Sequence, residues 1–194
     1  MRTFSHPGYK RFLLSVGCLL SIHFTALFFL TLFRLVFFFS ANYDFPDQEH
    51  VGFMSIWPAF IRGVWFDNVI ACYILLIPLV AVSISALFNY YGKILWNVTC
   101  IFFSLFYGIV LLVTAANIPY FQYFFKIINS SVFNWFGYMN TTAGMGFGET
   151  SYYPPLIGFL LTLVLFIWLM RRLIRHFQRL LNTKNPSVFW LDRI

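Results

Sequence analysis

Four long apolar runs, almost empty of charge, decide what this chain can become. A helix rises about 1.5 Å per residue, so crossing a hydrocarbon core about 30 Å thick takes about 20 mostly apolar residues. The runs at about residues 12–39, 69–88, 94–116 and 154–170 meet or approach that length, and Arg34 is the only charge inside them. The chain is 60% hydrophobic and 10% charged, whereas a soluble domain is roughly 45–50% apolar and about 25% charged. Too few charges remain to coat a water-facing surface, which excludes a soluble enzyme or a disordered tail. Aromatic residues at 23% are too bulky for a water-filled channel lined by small side chains. The expected fold class is an all-α membrane protein, a four-span transmembrane helix bundle over residues 1–184 with interfacial aromatic segments in the outer loops and a short C-terminal tail at 185–194. The first run is too long for the apolar core of a signal peptide and lacks a small-residue cleavage site, so it reads as a retained anchor.

The net charge of +7 over 194 residues raises the question of a polyanionic partner. Lysines and arginines gather on one side of the bundle if the N-terminus is cytoplasmic: Arg2, Lys10, Arg11, Lys93, Arg171, Arg172, Arg175, Arg179, Lys184 and Arg193 face a single acid, Asp192. The other side then holds Arg34, Arg62 and Lys126 with Asp44, Asp47, Glu49, Asp67 and Glu149. That asymmetry follows the positive-inside rule and predicts a multi-pass protein with both termini cytoplasmic. The basic stretch from Arg171 to Lys184 continues the fourth run and reads as a stop signal resting on anionic headgroups, so nucleic acid is not an expected partner. Cys18, Cys72 and Cys100 lie in apolar runs, where they act as small hydrophobes and set no disulfide framework.

The outer loops carry unusual sequence. Residues 51–66, VGFMSIWPAFIRGVWF, are aromatic but too short and broken to span, so they are expected to lie in the interface plane or re-enter the bundle. Residues 117–151 begin with an aromatic stretch, NIPYFQYFF, read as a short interfacial helix, and then pass through TTAGMGFGET. Glycines 144, 146 and 148 do not match a phosphate-cradling or dinucleotide pattern and read as a turn. The sequons at Asn97, Asn129 and Asn140 are taken as chance.

Among polar groups at membrane depth, Arg34 either snorkels to the outer interface or pairs, and an intramembrane charge is by default a functional hypothesis. Asp67 stands at the expected start of the second span, where a carboxylate meets the positive end of the helix dipole. Arg34, Arg62 and Asp67 are therefore expected to form one outer charge cluster able to hold a lipid phosphate by bidentate guanidinium contacts. His23 is expected to hydrogen-bond a neighbouring helix, because no second ligand stands at metal spacing. No serine–histidine–acid or serine–lysine set can be assembled inside the membrane. Pro78 kinks one span without a counterpart in another, which weakens a transporter reading.

Five strings in order, FRLVFF at 33–38, RGVWFD at 62–67, NIPYFQYFFK at 117–126, NSSVFN at 129–134 and GETSYYP at 148–154, resemble the N-terminal membrane domain of the lipoteichoic acid synthase family. These are bacterial phosphoglycerol transferases of the sulfatase and alkaline-phosphatase superfamily. The resemblance covers roughly residues 20–180. It implies a bacterial cytoplasmic membrane, a place in the cell envelope, and phosphatidylglycerol among the membrane lipids bound. It places Arg34, Arg62, Asp67, Asn117, Lys126 and Glu149 as lipid-headgroup candidates at the outer face.

In such enzymes an external catalytic domain uses a threonine nucleophile and a divalent metal, typically manganese. Here only NPSVFWLDRI follows Lys184, too short for a fifth helix. The expectation is a chain truncated before that helix and the catalytic domain, without cofactor or catalytic residues of its own and inactive alone, with a separate catalytic domain or another membrane protein as a possible partner. The rival expectations are a stand-alone membrane scaffold and a small transporter.

Overall fold

The computed structural model describes residues 7–43, 53–88, 90–124, 126–129 and 153–182. They form a four-helix bundle: α1 is Pro7–Tyr43, α2 is Phe53–Leu87, α3 is Lys93–Phe124 and α4 is Tyr153–Asn182. No strand occurs among the described residues. All four helices are long and apolar enough to cross a membrane, over Gly8–Ser40, Phe60–Leu87, Lys93–Gln122 and Tyr153–Leu180. Large apolar side chains stand out from them, Phe24 and Phe28 at 65% and Leu87 at 85% of full exposure, which lipid tolerates and water would not. The chain is a multi-pass membrane protein.

All four helices reach beyond the apolar runs, α1 by a few residues at each end. α2 starts at Phe53 rather than near residue 69, so the 51–66 segment expected to lie flat or re-enter is instead mostly the first part of a spanning helix. α3 runs on through Pro119 to Phe124, absorbing the expected short interfacial helix. The physical reason is shared. Lipid offers no partners to backbone amides, so a segment at the membrane keeps its own helical bonds, and an isolated proline or glycine is tolerated. α4 begins with Tyr153-Pro154-Pro155, where missing amides have no intrahelical partner to lose, and it carries the basic stretch helically to Asn182.

Seven serine and threonine hydroxyls inside the helices are satisfied within their own helix, whereas the buried Ser15 Oγ, Trp96 Nε1 and Tyr107 hydroxyl have no hydrogen-bond partner among the described residues. Ser21, Thr25, Ser83, Thr99, Ser104, Thr114 and Thr162 each donate their hydroxyl to the carbonyl four residues back, at 2.7–2.8 Å. This intrahelical bonding removes the cost of a hydroxyl in hydrocarbon.

The helices divide into two compact units. Unit 1 comprises Met1–Leu27, Asn68–Tyr107 and Phe166–Ile194. Its core is Cys18, Leu19, Ile22 and Ala26 of α1 with Ala71, Val82, Trp96, Phe103, Tyr107, Phe166 and Met170. The buried positions recur every three or four residues, as helix packing requires. Tyr107 meets Phe166 edge to face at 5.5 Å, and the Phe177 ring packs beside Gly17 of α1. Unit 2 comprises Phe28–Asp67 and Gly108–Leu165. It packs Phe29, Leu30 and Phe33 with Leu111, Ala115, Ile118 and Phe159, and Phe37 meets Phe121 at 5.2 Å. The sequence charge falls unevenly on the two. Unit 1 has ten cations and one acid, net +9, and unit 2 has three cations and five acids, net −2, which together make the +7 of the chain.

Candidate functional site in unit 2

Arg34 sits in the unit 2 part of α1, one residue beyond the buried Phe33. Directly facing it, α2 presents Gly63 and Asp67, four residues apart and so on one side of the helix. Arg34 Nε donates to Asp67 Oδ2 at 3.0 Å, and Nη2 donates to Oδ1 at 2.8 Å. This is the two-pronged arrangement in which a planar guanidinium matches a carboxylate. The side chains are 33% and 14% exposed, so the pair is largely withdrawn from solvent while part of the guanidinium stays accessible. Gly63 makes the approach possible. A methyl group there would overlap the Arg34 guanidinium, nearest Nη1, Cζ and Nε.

Two expectations change here. Asp67 does not cap a helix, because α2 has already run from Phe53 to that point; its carboxylate is held by Arg34. Nor do the three charges form one cluster. Arg62 is exposed and has no partner among the described residues. Arg62 and Asp67 are five apart, about 140° around the helix, so they project in different directions. Asn117 lies on α3 and accepts from the Ile128 amide at 2.8 Å, fixing the chain after the helix end. Lys126 is exposed and without a partner among the described residues. Glu149 lies outside the described residues, as do the glycines at 144–148. Of the six candidates, the structure therefore brings together Arg34 and Asp67.

In unit 1 the buried His23, 5% exposed, places Nε2 at 3.1 Å from Asn68 Oδ1. This is the interhelical hydrogen bond expected of it. Its Nδ1 has no partner among the described residues. Outside the spans, burial pushes the Tyr91 phenol above its ordinary value of 10.0, and nearby Arg11 pulls it partly back.

Sequence reasoning missed Gly63 and Asn68. Gly63 had a signal, a glycine one helical turn before the acid in RGVWFD, which is how a long cation reaches a carboxylate across two close helices. Asn68 had none beyond its polarity. Among the described residues no group of three or more histidine, cysteine, aspartate or glutamate side chains gathers to hold a metal. No family model, curated protein or solved structure matches this chain.

Proposed function

We propose that this chain is a membrane domain that binds an anionic phospholipid headgroup, phosphatidylglycerol in a bacterial cytoplasmic membrane, in the way its resemblance to phosphoglycerol transferases implies. The observation that supports this most is the Arg34 guanidinium. Asp67 engages two of its five N–H donors, and the side chain is 33% exposed, so donors remain for a phosphate oxygen. Asp67 orients the guanidinium, and the phosphate supplies the second anion. Both termini lie in the cytoplasm, supported by the ten cations and one acid of unit 1.

The second reading is a stand-alone scaffold in which the pair only clamps α1 to α2. It is favoured by Asp67 committing both oxygens to Arg34. Spin-labelled phosphatidylglycerol and phosphatidylcholine, compared in vesicles containing the purified protein, separate the two. Headgroup binding gives a larger immobilised fraction for phosphatidylglycerol, and Arg34→Gln equalises the lipids while the far-ultraviolet helix signal is kept. Equal fractions for the unaltered protein overturn the headgroup reading and leave the scaffold.

A further inference from the structure

Unit 2 contains a cavity of about 470 Å³ among α1, α3 and α4, a volume within the range that binds small molecules. Leu32, Val36 and Ile118 form its apolar wall, with Gly158 on the α4 side. Its polar side chains are Ser40, Gln122 and Thr162. Gln122 Nε2 donates to Ser40 Oγ at 3.0 Å, while the Thr162 hydroxyl is already held by the Gly158 carbonyl. Ser40 and Gln122 are also the last residues of their apolar spans, Gly8–Ser40 and Lys93–Gln122. By length and hydropathy the polar pair thus falls at the ends of its two spans, and the apolar wall continues into them.

We propose that this cavity holds one acyl chain of a membrane glycerolipid, with the ester carbonyl at Gln122 and Ser40. The wall offers water too few partners to make it a wet cavity, and an empty one would forfeit the dispersion contacts of every side chain that lines it. Hydrocarbon is the solvent around these spans, so an acyl chain is the occupant that both fits the chemistry and is present. The Gln122 amide keeps a second N–H, and an ester carbonyl is an acceptor of the kind it lacks. This inference rests on the membrane placement of the helices and not on a headgroup at Arg34.

Gly158 supplies the test, because it lines the cavity and a side chain added there meets no atom within 4 Å. Gly8 is equally open and serves as the control. Protein reconstituted with a phosphatidylcholine carrying a photoactivatable group on its acyl chain is irradiated, and retained lipid per chain is counted by native mass spectrometry after detergent washing. The unaltered protein and Gly8→Trp are expected to keep one lipid and to label within residues 32–40 or 118–122. Gly158→Trp is expected to lower retention at least tenfold at an unchanged helix signal. Val36→Phe, which narrows the same space from α1, is expected to act in the same direction should Gly158→Trp not fold. Retention by both variants equal to the unaltered protein, or labelling confined to other residues, overturns the proposal. A Gly158→Cys disulfide between two copies formed in high yield would show a second chain covering the cavity and overturn it as well. Retention of phosphatidylcholine here together with no phosphatidylglycerol preference would sink the Arg34 headgroup alone.

Discussion

Gly63→Ala reverses the usual sign of a glycine substitution in a helix. At an unhindered interior position the change stabilises by about 1 kcal/mol, because alanine is the better helix former. At position 63 the new methyl occupies the space of the Arg34 guanidinium. The arginine is the flexible partner, so it moves, and moving takes it off Asp67. The loss is two charge-assisted hydrogen bonds at 2.8 and 3.0 Å. Hydrogen bonds to charged groups contribute about 1.5–3 kcal/mol each, and 33% exposure of Arg34 places these two at the low end, about 3 kcal/mol together. Set against the propensity gain, the net destabilisation is about 2 kcal/mol. In an Arg34→Leu, Asp67→Leu background there is no pair to break, and the same substitution is expected to stabilise by up to about 1 kcal/mol. The assay is reversible unfolding in mixed micelles of a mild and a denaturing detergent, followed by tryptophan fluorescence. A stabilising Gly63→Ala in the unaltered protein would refute the reasoning, as would equal effects in the two backgrounds.

Other substitutions are expected to have distinct outcomes. Asn68→Ala removes the partner of the buried His23 Nε2 and is expected to destabilise by about 1–3 kcal/mol, whereas His23→Leu with Asn68→Leu stays near neutral in the same unfolding assay. Phe103→Ala, at a fully buried position stacked on Tyr107, is expected to cost about 3 kcal/mol, the low end of the range for a buried phenylalanine, through lost packing. Tyr91 gives an alkaline signature. Its folded form holds the proton more tightly than an unfolded tyrosine does, so its contribution is complete below about pH 10 and is lost as pH climbs through the raised folded value. Tyr91→Phe is expected to leave stability at pH 7 within about 0.5 kcal/mol and to flatten that alkaline decline in a pH series of melting curves.

The four helices and their membrane setting were legible because length and hydropathy are local properties of the chain. Helix ends were not legible at Phe53 and Phe124. Pro58, Arg62, Gly63 and Pro119 look like breakers in a water-based reading, yet a lipid setting holds the backbone helical through them. The charge site was half legible. Arg34 and Asp67 stood out as charges in apolar surroundings, but their pairing depends on how α1 and α2 pack, and the neighbouring Arg62 was the more obvious partner in sequence. Helix geometry points Arg62 elsewhere, and Gly63 opens the path for the more distant arginine.

The most direct test of a lipid-headgroup site at Arg34 is photo-crosslinking with phosphatidylglycerol that carries its reactive group on the glycerol head, in vesicles with excess phosphatidylcholine, followed by mapping of the labelled residues. Labelling of peptides around Arg34 and Gly63–Asp67, competed by unlabelled phosphatidylglycerol and abolished by Arg34→Gln, is the expected result. Label spread evenly over the helix ends, and unchanged in Arg34→Gln, would contradict it.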